Sequence, residues 1–367
     1  MKTLTAHQLK LSDYLQPGDH LVMSEAAGEP QTLADLLIEQ RAELGRPQLF
    51  FGIGASTRFK PEHADALGFS GTGAAMTYRP LIKAGVMTVV SQHFSDLPRL
   101  LRSGQLRCDV VMIQVSAPNE RGEYSYGLSC DYLRAAMSQA RLVIAEVNDQ
   151  LPQTPCAHPL MAQDIDLAIH TSRPPIEWPA APLGDVEQRI ARQVAELIPD
   201  RATFQMGLGA LPEALCSALV NHRDLGIHSG MLGDGYVDLV ERGVVTNAYK
   251  EVHAGVSVTG VLIGTRRLYQ HVHRQPTLCL HDADITHGAA SLSRLKRFHS
   301  VNSALEVDLT GQVNAEAIGR DFLGTIGGQV DYVRAAVLSE GGRSIIALPS
   351  TARQTSRIVA RLNGVCM

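Results

Sequence analysis

Phe204-Gln205-Met206-Gly207-Leu208-Gly209-Ala210-Leu211-Pro212 reads as a strand, a turn and the start of a helix. A short apolar run ends at Met206, two glycines free the backbone for a tight turn, and Pro212 suits a first helical turn. Leu215 and Leu219 then stack at i, i+4 on one face. The same alternation recurs along the chain. Gln48–Ile53, Val86–Val90, Asp109–Val115, Leu142–Glu146, Thr203–Met206, Val256–Gly260 and Ser344–Leu348 are expected buried strands. Thr32–Glu43, Cys130–Gln139, Asp185–Leu197 and Pro212–Val220 carry amphipathic helical patterns between them. Strands alternating with helices imply an α/β fold with mostly parallel sheets and helices outside.

Composition agrees with a globular enzyme-sized chain. Its 367 residues are 45% hydrophobic and 19% charged, and a net charge of −4 is too mild to suggest nucleic acid, a membrane surface or a polyanion as partner. With 32 Gly and 18 Pro, low complexity and extensive disorder are excluded. Six cysteines (Cys108, Cys130, Cys156, Cys216, Cys279, Cys366) show no CxxC spacing and read as buried thiols of a reducing compartment. The first residues lack the apolar segment of a signal peptide, and no apolar run approaches the ~18 residues of a bilayer span. A cytoplasmic protein is therefore expected.

Ser172–Gly184 holds four prolines and cannot continue a helix or central strand. A helix pattern restarts at Asp185, itself a plausible N-cap. The expected organisation is an N-terminal domain over 1–178, a Pro-rich linker over 179–184 and a C-terminal domain over 185–367.

The Gly207-Leu208-Gly209 turn lets a ligand approach the backbone and precedes a helix with free N–H groups. It lacks the third glycine and the following acidic residue of a dinucleotide site. Gly327-Gly328-Gln329 forms a second such turn before a helix, and Gly341-Gly342 a hairpin-like turn into a strand. Two glycine nests at strand ends suit a carbonyl or a pantetheine held by main chain; two tight turns are the structural alternative. Tyr269-Gln270-His271-Val272-His273, with His281 and His287, would put His271 and His273 on one strand face, but no third ligand at fixed spacing follows and no metal is expected.

Longer motifs carry a family resemblance over nearly the whole chain. Asp109–Asn119 with Gly122, Ala145–Pro152, Gly226–Ser229, Asp234–Leu239, Asn302–Val313 and Gly327–Asp331, in this order and spacing, resemble the acetyl-CoA hydrolase/transferase family, near its 4-hydroxybutyrate and butyrate:acetate CoA-transferase branch. The resemblance implies two similar α/β domains with the active site in the cleft between them. It also implies CoA as part of an acyl-CoA substrate rather than as a separate cofactor, a small carboxylate as a second substrate, and a homo-oligomer. The usual chemistry is ping-pong CoA transfer, in which a glutamate attacks the acyl-CoA carbonyl while backbone N–H groups stabilise the oxyanion.

Three departures from that pattern stand out. The family nucleophile follows the Gly-Ile-His-Ser motif as His-Ser-Glu-Met, whereas this chain reads His228-Ser229-Gly230-Met231. An Asn-His pair of the family is here Thr286-His287. Relatives also continue past the Pro349-Ser350 stretch, so a shortened C-terminal domain is expected. The candidate CoA and oxyanion residues are Gly207, Leu208, Gly209, Gly327, Gly328 and Gln329. At the catalytic positions stand Gly230 and Thr286; Ser229, His228 and Glu306 are the substitutes to weigh. Three functions remain open: a CoA-thioester enzyme with altered chemistry (hydrolysis, decarboxylation or cyclisation), a CoA-transferase inactivated at Gly230 or using another residue, and a catalytically dead homologue that binds CoA or an active subunit.

Overall fold

The computed structural model describes residues 1–73, 77–319 and 321–362. Eight strands form the first sheet: β1 (Lys2–Leu4), β2 (His20–Met23), β3 (Gln48–Phe51), β4 (Gly68–Gly71), β5 (Met87–Val89), β6 (Val110–Ser116), β7 (Leu142–Asn148) and β8 (Leu167–Thr171). Their order is β1-β8-β7-β6-β2-β3-β4-β5, and every pairing is parallel. The chain therefore steps outward from β2 through β5, returns to β6 and steps outward the other way. That reversal puts a crevice at the carboxyl ends of β2 and β6, where open α/β sheets bind ligands.

Alternation along the strands separates two buried faces. Val22, Phe50, Val111 and Ile113 face one core, while Leu21, Leu49, Val110 and Met112 face another. The first of these cores runs on without a break into the second half of the chain, through Phe204, Met206 and Val301.

The second half is built on a smaller parallel sheet. β9 (Thr203–Met206) lies between β10 (Gly226–Ile227) and the strand Phe298–Asn302, with Arg343–Ile346 at the far edge. Ser257–Thr259 pairs with Leu278–Leu280 outside this sheet. The two α/β halves thus share a plan but not a size.

Local differences from the sequence reading have physical reasons. The helix after the Pro-rich stretch runs Asp185–Ala195 with Gly184, not Asp185, as its N-cap; Asp185 instead places its charge in the first turn. His271 lies on the helix Arg266–Val272 and not on a strand, because the Thr265 hydroxyl accepts from the Arg267 N–H and starts a helix there. Gly341-Gly342 is a helix-to-strand turn rather than a hairpin, since the strand it enters pairs in parallel with Phe298–Asn302. Cys366 lies outside the described residues. No helix among the described residues is long and apolar enough to cross a membrane.

Glu146, on β7, ties the first sheet to the helix Gln31–Gln40. Its carboxylate accepts from the N–H groups of Thr32 (2.7 Å) and Leu33 (3.2 Å) and from the hydroxyls of Thr32 (2.9 Å) and Thr171 (3.1 Å). A buried carboxylate at a helix N-terminus satisfies donors that the helix itself cannot. Glu146→Ala is expected to lower unfolding free energy by about 2–3 kcal/mol, read from the denaturant midpoint; a change under about 0.5 kcal/mol would show that the cap contributes little.

Candidate active site

The carboxyl ends of both sheets open onto one cavity of about 140 Å3. From the first half come Glu25, which follows β2 by two residues, and Ile53, which follows β3; Phe94 opens a short 3-10 helix (Phe94–Asp96) and Asp131 lies in a turn. From the second come Met206 and Gly207 at the end of β9, Asn302 at the end of its strand, Gly230, His287, and the turn Gly327-Gly328. Tyr332 closes the floor from the helix Gln329–Leu338.

Backbone and side-chain hydrogen bonds across the halves hold this cleft. The Phe94 N–H donates to the Gly327 carbonyl (2.9 Å), and the Thr325 hydroxyl donates to the Thr72 carbonyl (2.7 Å). Asp331 accepts from both the N–H (3.1 Å) and the hydroxyl (2.8 Å) of Ser95. The glycine turn at 327–328 is therefore anchored to the first half while it heads a helix of the second.

His287 is the centre of the site. Its ring packs between Phe94 and Tyr332, with centroids 4.7 and 4.8 Å away. Two glycines make the room: a Cβ at Gly230 would come within 2.6 Å of the ring, and one at Gly328 within 2.3 Å. Nδ1 lies 2.8 Å from the Thr286 hydroxyl, and the Thr286 carbonyl accepts from the Tyr332 hydroxyl at 2.9 Å. Burial lowers the His287 pKa to about 3, so the ring is neutral across the physiological range.

Beside it stands a pair of buried carboxyls. Glu25 and Asp131 face one another across a side-chain hydrogen bond that needs one shared proton, and no N–H or O–H of another described residue reaches either Asp131 oxygen or Glu25 Oε1, all three of them buried. Glu25 Oε2 accepts from the Ile53 N–H at 2.6 Å. Two more glycines leave space for these groups, since a Cβ at Gly52 would overlap Glu25 Oε2 and one at Gly260 would overlap Asp131 Oδ1. The Gly260 N–H in turn donates to the Gly230 carbonyl at 3.1 Å, which sets Asp131 next to position 230. Burial, then mutual repulsion for Asp131, pushes both carboxyls up from the ordinary range.

The structure sorts the sequence candidates. Gly207, Gly230, Gly327, Gly328 and Gln329 line the cavity. Leu208 and Gly209 line a separate hollow under Trp178–Ala181, because Gly209, at φ +114°, turns the backbone away. Ser229 is buried with its hydroxyl donating towards the main-chain carbonyls of Met206 and Met231, and His228 Nε2 lies 2.9 Å from the Ile285 carbonyl. Thr286 is fully buried and meets the cavity only through two lining residues, His287 and Tyr332. Glu306 lies outside the cavity lining, on a strand beside Asn314; the carboxylate that gathers loop amides there is that of Asp308, from Thr310, Gln312 and Leu362. Among the described residues no group of three or more metal-type ligands converges.

Sequence reading missed Glu25, Asp131 and Tyr332 and met His287 only in passing. A signal existed for Glu25: an acid directly after an apolar strand, in Leu21-Val22-Met23-Ser24-Glu25-Ala26-Ala27, is out of place unless it faces a site.

Comparisons with known proteins show the family and the fold. The acetyl-CoA hydrolase/transferase N-terminal domain model matches residues 2–173 and the C-terminal domain model residues 264–367. A 4-hydroxybutyrate coenzyme A transferase of Clostridium kluyveri is 40% identical over 287 residues, 78% of this chain and 67% of the relative. A succinyl-CoA:cyclohexane-1-carboxylate CoA transferase of Geobacter metallireducens is 31% identical over 95% of this chain and 80% of its own length. RipA from Yersinia pestis, a solved structure, superposes with a TM-score of 0.94 at 31% identity, over the whole of this chain and 86% of that one. The chain spans 60% to 80% of the length of the curated relatives it matches.

Two outcomes follow from this packing. Gly230→Ala should cost about 1–3 kcal/mol, because its Cβ meets the imidazole, and His287→Ala should relieve most of that cost in the double variant; additive losses in denaturant melts would show that the ring does not fill the space at 230. The raised carboxyls have a pH signature. A carboxyl whose folded pKa lies above its unfolded value holds a proton that the unfolded chain has released, so stability falls as pH rises above about 4. Asp131→Asn removes that loss, and the variant should melt higher than wild type at pH 7–8, with the gap closing near pH 4; an unchanged or reversed gap across that range would contradict the assignment.

Proposed function

The chain belongs to the acetyl-CoA hydrolase/transferase family, and from that premise we propose that it is an enzyme acting on a small acyl-CoA, or on an acyl group carried as another thioester, by a route other than glutamyl-CoA transfer. The observation that carries this reading is the pairing of Gly207 and Gly327-Gly328 around one cavity with Gly230, rather than a carboxylate, between them.

The parts support binding and polarisation of a thioester carbonyl. The helix Gln329–Leu338 begins at the cavity, and the first N–H groups of a helix lack partners within it. They suit an oxyanion, as fixed donors aimed at developing charge need no reorganisation. Gly207 has open space where a Cβ would stand, so the thioester can lie against its backbone. About 140 Å3 accommodates an acyl portion of roughly benzene size, a short chain.

Glycine cannot attack a carbonyl, and the side-chain space at 230 belongs to His287. The neutral imidazole and the Glu25–Asp131 pair remain beside the thioester site. A carboxylate of that pair can take a proton from an attacking water, and this favours hydrolysis among the altered chemistries. For that step the water oxygen bonds to the acyl carbon, its proton passes to the carboxylate, and the C–S bond breaks to release CoA thiolate, which takes up the proton.

Saturating CoA or an acyl-CoA should raise the melting temperature by mass action. Gly207→Val, at an unstrained position with empty space before it, should abolish that shift while leaving the unliganded melting temperature within about 2 °C. Gly328→Val is the poorer probe, because it strikes His287 whether or not ligand is present. Acetate-dependent CoA exchange should be at background. Wild type showing no shift with any CoA ester, or ping-pong exchange through a borohydride-sensitive glutamyl thioester, would overturn the reading.

A further inference from the structure

Taking a proton from water calls on one carboxylate, whereas Glu25 and Asp131 put two at the acidic end of the cavity. Three of their four carboxyl oxygens are buried with no donor from any other described residue. Among the described residues no lysine or arginine lines the cavity, and its histidine is neutral. Asp282, a further charge felt by Asp131, is itself acidic and pairs with Arg134 at 3.0 Å. Glycines at 52 and 260 leave room for both carboxyls where any side chain would overlap them. Unsatisfied buried polar atoms are costly, and in a binding site the cost marks what the ligand supplies.

We propose that the acyl group handled here carries a protonated amine at its far end, received by the Glu25–Asp131 pair. This rests on the acyl-thioester reading of the same cavity. The match is one of number and charge. An ammonium offers three donors to three oxygens that have one proton among them, whereas a hydroxyl offers one and a methyl none. Two carboxyls holding one proton between them carry a single negative charge, which one ammonium neutralises; charge-assisted bonds of this kind are roughly twice as strong as neutral ones. A terminal carboxylate would bring a third acid to the pair and is excluded by repulsion. With the carbonyl at the glycine turns, the amine is the group that reaches the crevice between the ends of β2 and β6.

The test uses unreactive CoA thioethers, so that binding is read apart from turnover. S-propyl-CoA, S-(3-hydroxypropyl)-CoA, S-(3-aminopropyl)-CoA and S-(2-carboxyethyl)-CoA are titrated calorimetrically into wild type, Asp131→Asn and Glu25→Gln at pH 7.5. The aminopropyl ether should bind wild type at least about tenfold more tightly than the propyl ether, with the hydroxypropyl ether between them and the carboxyethyl ether weakest. In either variant the aminopropyl advantage should shrink to about threefold or less while propyl binding holds or improves. Equal binding of the amino and plain ethers in wild type, a preference for the hydroxyl, or tight binding of the carboxylate overturns the proposal. If neither CoA nor any thioether binds, the CoA reading itself has failed, and this inference falls with it for that separate reason. The wild-type ranking decides the question even where a variant does not fold.

Discussion

A neutral imidazole held between two glycines sets how the halves of this molecule meet. His287 comes from the second half, yet it packs on Phe94 of the first and on Tyr332 of the helix after the 327–328 turn. Its ring takes the volume that side chains at 230 and 328 would need. Close packing makes such a wedge rigid: a shift of a few tenths of an ångström at the ring would be passed to both glycine segments. The cavity is what remains on the open side of that wedge.

Around the wedge, backbone and side-chain bonds between the halves share one logic. Phe94 to Gly327, Thr325 to Thr72 and Ser95 to Asp331 all fix the turn that heads the helix Gln329–Leu338. The groups that would hold a thioester carbonyl thus belong to neither half alone. Preorganisation of that kind is what an oxyanion site needs, because donors already in place lose little freedom when charge develops. It also explains why one apolar core runs through both halves: the facing surfaces are joined by packing as well as by hydrogen bonds.

Much of the fold was legible because periodicity and punctuation agree. β6 is apolar but for Gln114 and Ser116, β9 alternates polar Thr203 and Gln205 with Phe204 and Met206, and both fall within two residues of their expected limits. The glycine turns were legible for the same reason, as a glycine pair between strand and helix has few structural uses. What lay hidden depends on contacts between residues distant in sequence. Nothing local says that His287 fills the space of position 230, or that Gly209 turns towards the Pro-rich stretch while Gly207 stays at the cavity. Glu25 and Asp131 are separated by more than a hundred residues, and only the reversal of strand order beside β2 brings the first of them to the crevice. A strand rule could find the crevice; it could not find the partner.

Electrostatics links the absent carboxylate to the one in place. A site with a carboxylate at 230 beside the Glu25–Asp131 pair would gather three acids in one small cavity whose described lining holds no lysine or arginine. Repulsion would raise the pKa of the group meant to act as nucleophile and keep it protonated, which is the wrong state for attack. Glycine at 230 removes that conflict, and the uncharged His287 ring occupies the vacated side without adding charge. The acidic end of the cavity and the lack of a side chain at 230 are therefore compatible features of one design: the first needs the second if its own carboxyl is to ionise. A cavity arranged in this way favours a substrate that brings positive charge to the pair and leaves its carbonyl to main-chain donors.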